Sequence, residues 1–342
     1  MNNGQRREVV VVTGAGAGLG RAIVQAFARR GADIGLIARG PERLEDAKRE
    51  VEALGGRALV LPLDVAWADA LEAAAARVES TLGPIDVWVN NAMTTVFAPV
   101  REMSPADYRR VTDVTYLGFV YGTLAALKYM APRDRGTIVQ VGSALAYRAI
   151  PLQSAYCAAK HAMVGFTDSL RTELIHDRSH VNVTVVHMPA INTPQFAWCK
   201  SLMPRKAQPV PPIYQPEVCA EGVYWAAHQR HREVFIGGPT LQAIWGQRFI
   251  PGLLDRYLAH TAWDGQMYDA APPPNRAVDL YEPVPGHQGA HGDFDDRART
   301  RSRSLDFTIG LSSLVTSVGN ALGRLGQSAP TLNGARVRPR IP

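Results

Sequence analysis

Cysteine is scarce in this chain of 342 residues: Cys157, Cys199 and Cys219 are all there is, and they show no metal-ligand spacing. Three thiols cannot all pair, so a reducing, cytoplasmic setting fits best. No window reaches about 18 uninterrupted apolar residues, so no segment reads as a bilayer-spanning helix. The start, MNNGQRREVV, has no apolar stretch ahead of a cleavage site, and no signal peptide is expected. Internal repeats are missing as well. A strong overall charge is missing too: the net value is +6, but its placement is uneven. Residues 261–300 hold three Lys/Arg against seven Asp/Glu, and residues 301–342 hold six arginines against one aspartate. Those arginines lack interleaved aromatics and any accompanying motif, so nucleic acid is not an expected partner. The His/Asp stretch HQGAHGDFDD (287–296) lacks ligand spacing and reads as a polar turn, with no metal expected.

What is present is an ordinary globular share of hydrophobic residues, 46%, in a clear alternation. Short apolar runs at 8–13, 33–38, 57–63, 85–90, 136–142, 181–187 and 233–238 alternate with Ala-rich stretches at 18–30, 41–54, 66–82, 104–130, 154–178 and 216–230. Near-continuous apolar runs are the mark of strands covered on both faces. The alternation predicts an α/β, Rossmann-type, doubly wound parallel sheet of about seven strands, with helices on both faces. Residues 1–250 are expected to form one domain. Residues 251–342 are turn-rich and charged, with one helix candidate at 305–325 whose apolar positions share a side. They read as an irregular C-terminal extension, wrapping the core or partly disordered, with some part docked on the core or a neighbouring subunit near the segment 194–215.

The first turn, TGAGAGLGRA (13–22), follows a strand and opens a helix. Gly14 permits a tight turn, Gly18 lets the backbone approach a pyrophosphate, and Gly20, after Leu19, allows close helix–strand packing. The second strand ends in Ala38-Arg39, with no acid until Glu42. An NAD site expects an acid there, whereas an arginine can pair with a 2′-phosphate. NADP (NADPH) is therefore the expected cofactor and NAD the alternative, with Arg43 either assisting or merely solvated. Asp64, in LDV with Val65, is placed either to meet the adenine edge or to cap the following helix.

TGAGAGLG, LDV, NNA (90–92), Ser143 and the pair Tyr156 and Lys160, in this order and spacing, resemble the classical short-chain dehydrogenase/reductase family over residues 8 to about 238. The resemblance implies an oxidoreductase that interconverts a secondary alcohol and a ketone by hydride transfer. It implies that Ser143 orients the substrate oxygen, Tyr156 moves its proton, and Lys160 lowers the phenol's pKa and holds the nicotinamide ribose. An unperturbed tyrosine, near pKa 10, is otherwise a poor acid–base group at neutral pH. Asn90, Ala92, Pro189, Ile191 and Thr193 are implied contacts to the cofactor. So is assembly as a homodimer or homotetramer through the helices at 104–130 and 154–178.

Three positions depart from the family. Thr115 stands where an asparagine usually holds a water, and is a candidate for the proton relay. Met93 follows NNA in place of glycine, and Ala190 follows Pro189 in place of glycine. Residues 194–215 fall where a substrate lid is expected, with Phe196, Trp198, Leu202 and Met203 as candidate lining. Met93, Tyr147 and Gln153 are further candidate substrate contacts. The lid's composition suggests a small-molecule, apolar alcohol or ketone. The rival from another class is a cofactor-binding regulatory or scaffold protein with weak turnover.

Overall fold

The computed structural model describes residues 6–312. Seven parallel strands form one sheet: β1 (Val9–Thr13), β2 (Asp33–Ala38), β3 (Ala58–Pro62), β4 (Val87–Asn90), β5 (Thr137–Ser143), β6 (Asn182–Met188) and β7 (Glu233–Phe235). Their order across the sheet is β7-β6-β5-β4-β1-β2-β3. The expected doubly wound α/β fold is the fold observed. β1 shows why its run is apolar throughout. Successive side chains point to opposite faces, so Val10 and Val12 enter one core cluster and Val9 and Val11 the other.

The helices are α1 (Gly18–Ala28), α2 (Pro41–Ala53), α3 (Ala68–Thr81), α4 (Pro105–Thr112), α5 (Gly118–Arg133), α6 (Ser154–His176), α7 (Pro216–Ala227), α8 (Gly238–Phe249) and α9 (Pro251–Gly265). The helix expected over 104–130 is two helices joined by a π-helical turn at Asp113–Leu117. Its start was legible in the sequence: Pro105 occupies the first turn and the Ser104 hydroxyl accepts from the Asp107 amide at 3.1 Å. The helix expected from residue 66 begins two residues later, after Trp67.

The break expected near residue 250 is a second correction. Helices α8 and α9 run to Gly265 with only Ile250 between them. They pack closely, for a Cβ on Gly246 would sit 2.9 Å from Leu254. Beyond them the chain folds back over the domain. Met267–Tyr268 pairs antiparallel with Lys206–Ala207. Ala298–Arg299 runs parallel to Ile213–Tyr214, which also pairs with Ala190–Ile191. Leu280, Ala290, Phe294 and Leu305 are buried, so this segment is stitched to the lid by backbone bonds and to the core by apolar contacts. Of the 305–325 candidate, the described residues through 312 are helical. Leu305 packs near Gly222 and Ile236 while Phe307 and Leu311 are exposed. The remainder of that candidate lies outside the described residues. No helix among the described residues is long and apolar enough to cross a membrane.

Candidate active site

The C-terminal ends of β1, β2, β4, β5 and β6 open into one cavity of about 450 Å³, where ligands of open α/β sheets bind. Its floor is the glycine turn. Gly14 has φ +69°, and a Cβ there would lie 2.9 Å from the Asn91 side chain. A Cβ on Gly20 would overlap the Gly14 carbonyl oxygen at 2.0 Å. Helix α1 starts without a side-chain cap, which leaves its first amides directed at whatever enters. One of them, Gly18 N, donates to the carbonyl of Gly289 at 3.0 Å, so the folded-back chain reaches this turn. Leu19, Val65, Ala92, Met93, Pro189 and Ile191 line the cavity, with Thr193 beside Gly18.

Asn90 is a correction. It is buried below the cavity, bonded to Phe119, Thr123, Gln140 and Trp88. Its neighbour Asn91 lines the cavity instead, tied to the Thr13 carbonyl at 2.9 Å. Successive residues at a strand end face opposite ways. The motif NNA alone gave no register, though the alternation of Val87, Trp88 and Val89 between the two cores could have supplied it.

At the end of β2 the expected arginine is engaged by the folded-back chain. Arg39 donates to the carbonyls of Tyr281 (2.9 Å), Leu280 (3.4 Å) and Asp279. Arg43 lies over the Trp198 ring at 4.5 Å and donates to Gly286 O at 2.9 Å. Burial lowers the pKa of both guanidinium groups. Asp64 lines the cavity, and its Oδ1 accepts from Ala66 N at 3.0 Å, in the turn before α3 and not as the helix cap, since α3 begins at Ala68. Its other oxygen pairs with Arg110. Asp279 also lines the cavity, with Oδ1 buried and unpartnered. Glycine cradle, uncapped helix start, paired arginines and an orphaned acceptor together fit a dinucleotide.

The other end of the cavity is lined by Ser143, Tyr156 and Lys160. Ser143 ends β5, and its Oγ accepts from Leu145 N at 3.1 Å. Tyr156 and Lys160 lie one turn apart on α6, which places both on one face. Lys160 is 1% exposed; its ammonium donates to the Val141 carbonyl at 2.7 Å and sits 4.3 Å from the Phe119 ring centre. Burial pushes the Tyr156 phenol up to about 12, opposed by the Ser143 hydroxyl beside it. Burial also pulls Lys160 down to about 7. Burial is the largest influence on the phenol and outweighs the Ser143 hydroxyl.

Thr115 does not reach Lys160. Its buried hydroxyl donates to Thr94 O at 2.8 Å and accepts from Thr94 N at 2.9 Å, fastening the π turn to the loop after β4. Tyr147 is turned away from the cavity and donates to Glu233 at 2.7 Å, its ring tilted against that of His187 at 5.0 Å. Gln153, Phe196 and Trp198 do line the cavity. Leu202 is exposed, and Met203 packs under the lid with Phe97 and Cys199. Leu258 and Ala262 of α9 complete the apolar wall, and no sequence signal marked them. His291 bridges Asp295 (2.6 Å) and Glu217 (2.8 Å), and Asn192 holds Gly292 N and Phe294 N. The His/Asp stretch is a structural clasp.

Comparison with known proteins adds four findings. The family model for short chain dehydrogenase matches residues 8–200. An uncharacterized oxidoreductase of Bacillus subtilis, YxnA, is 31% identical over 299 residues, covering 87% of this chain and 83% of that protein. A fatty acyl-CoA reductase of Acinetobacter baylyi is 28% identical over 66% of this chain and 75% of its own length. Among solved structures, a metagenomic short-chain oxidoreductase in complex with NADP superposes with a TM-score of 0.58 at 28% identity, over 68% of this chain and 98% of that one.

Proposed function

The chain belongs to the short-chain dehydrogenase family and is an NAD(P)-dependent oxidoreductase, and from that premise we propose that it interconverts a secondary alcohol and a ketone, with a preference for NADP. The observation that carries this reading is the polarity of one cavity: a glycine cradle with two arginines at one end, and Ser143, Tyr156 and Lys160 at the other. The neighbour solved with NADP supports the cofactor preference, as does an arginine at the end of β2.

A bound nicotinamide supplies the hydride donor or acceptor. Ser143 orients the substrate oxygen. Tyr156, held protonated, donates its proton to that oxygen as negative charge develops on it, which suits the reduction direction. Lys160, buried at the inner end of the same face, restores the proton and holds the ribose. Thr115 takes no part in this relay. Phe196, Trp198, Leu258 and Ala262 exclude water and select an apolar substrate, in keeping with the fatty acyl-CoA reductase among the relatives.

Residues 1–250 are proposed as the catalytic domain, and Leu258, Ala262, Asp279, Pro283 and Val284 from the chain beyond it complete the cavity. Three buried, unpaired thiols fit a reducing cytoplasm. A homodimer or homotetramer through α4, α5 and α6 is the expected assembly, which the mass in solution tests. The rival reading is a scaffold that binds cofactor without turnover.

The test is Tyr156→Phe, assayed with a panel of apolar ketones and either NADPH or NADH. We expect wild-type turnover with a higher kcat/KM for NADPH. The variant should lose at least about one-hundredfold, with NADPH affinity held within a few-fold. Turnover above about one-hundredth of wild type in the variant contradicts the proton-donor role. No turnover by the wild type with any ketone favours the scaffold.

A further inference from the structure

The second strand ends without the acid that an NAD site places there, yet an acid is present at that spot. The folded-back chain lays residues 279–286 across the end of β2. Pro283 lies over Gly40, where a Cβ would touch it at 3.6 Å, and Arg39 and Arg43 hold the segment by its carbonyls. Arg110 adds a third bond, from its Nε to Leu280 O at 2.8 Å. The Asp279 amide donates to Trp198 O at 3.1 Å, so its backbone is fixed from two sides.

The side chain that this fixes is anomalous. Asp279 lines the cavity, and its Oδ1 is buried without a hydrogen-bond partner. The arginines that surround it, Arg39, Arg43 and Arg276, bond to carbonyls and leave this oxygen unsatisfied. A buried acceptor without a partner is destabilising by about 1–3 kcal/mol, more when charged. Fixed donors that fail to satisfy it point to a donor that arrives with a ligand. At the end of β2 that donor is a ribose hydroxyl.

We propose that Asp279, contributed by the C-terminal extension, is a cofactor-specificity residue that accepts from the adenine-ribose 2′-hydroxyl of NAD(H) and opposes the 2′-phosphate that Arg39 and Arg43 attract. This deepens the oxidoreductase reading and rests on it. The balance between the two cofactors is then set by one acid and two arginines, drawn from chain positions some 240 residues apart in sequence. The acid tempers the preference for NADP(H) without abolishing it.

The experiment measures dissociation constants for NADPH and NADH on the full-length protein, by fluorescence titration, for the wild type and for Asp279→Asn. Asparagine keeps the shape and the backbone contacts. At pH 8 the wild-type carboxyl, pushed up to about 6 by burial, is ionised. The variant should bind NADPH about tenfold more tightly and NADH several-fold more weakly, the scale of a hydrogen bond to a charged group. Movement in opposite directions is the signature, because a loosened segment would weaken both cofactors together. A second variant, Asp279→Ala, should reproduce the loss for NADH. A ratio of affinities unmoved in both variants, or a parallel weakening of both cofactors, overturns the specificity role while leaving the oxidoreductase reading intact. Failure of the wild type to bind either dinucleotide overturns both.

Discussion

Replacing Lys160 with methionine should stabilise the cofactor-free protein at neutral and acidic pH while removing its activity. The lysine is 1% exposed, and its ammonium has a single carbonyl partner and the face of Phe119. Burial lowers its pKa from 10.5 to about 7. At 1.36 kcal/mol per pH unit, this corresponds to a penalty on the order of 5 kcal/mol when the group is charged in the folded state. The sign follows from proton counts. Below pH 7 the lysine is charged in both states and the penalty is complete. Between about 7 and 10.5 the unfolded chain holds a proton that the folded chain lacks, so wild-type stability rises with pH. Methionine fills the same space without charge, and such replacements of buried ions are commonly neutral or stabilising by about 1–4 kcal/mol.

Urea unfolding of both proteins at pH 6, 7, 8 and 9, without cofactor, reads this directly. The difference between them isolates Lys160 from every other titrating group. We expect Lys160→Met to be more stable by about 2–4 kcal/mol at pH 6, with the gap closing toward pH 9. Equal stability at pH 6, or a gap that does not change with pH, would refute the reasoning that desolvation dominates at this site. Activity should be lost in the variant at every pH.

Two further outcomes follow from the geometry. Thr115→Val should lower stability by about 2 kcal/mol, because it leaves the Thr94 amide and carbonyl without their partner, yet keep kcat within a few-fold. A hundredfold loss of kcat at unchanged melting temperature would restore Thr115 to the proton relay. Truncation after Gly265 removes the strands paired with Lys206–Ala207 and Ile213–Tyr214 and the buried Leu280 and Phe294; the melting temperature should fall and KM for an apolar ketone should rise, and a truncated protein that keeps both values has a passive extension.

The sheet was legible because its strands are buried on both faces, which makes them continuous apolar runs that need no periodicity to be seen. Helices α8 and α9 were not. Trp245, Phe249, Leu253 and Tyr257 are 58–71% exposed, so the apolar residues on them do not form the single buried stripe by which a helix is recognised. The π turn at Asp113–Leu117 was equally hidden, since one widened turn between α4 and α5 leaves the apolar spacing nearly helical. Ser143, Tyr156 and Lys160 were readable together because their spacing is local to one strand end and one helix face. Tyr147 shares that stretch but not that face, and the 3₁₀ turn at Ala144–Ala146 that precedes it directs it to Glu233.

The cofactor end shows a different kind of limit. The missing acid at the end of β2 was read as a statement about the ligand, on the assumption that the residues which meet the adenosine come from the strand beneath it. That assumption is sound where the chain ends with the sheet. Here the chain continues, and the tight glycine turn, the short β2–α2 connection and Arg39 leave a shallow shelf that a later segment can cover. Arg39 has five N–H donors, more than a 2′-phosphate alone would take up, and three of its bonds anchor the covering segment. In the proposed reading, the same side chain both favours a phosphate and brings in the carboxylate that opposes it. Sequence neighbours cannot reveal such a pairing, because its two halves are brought together only by the fold-back that Arg39 itself secures.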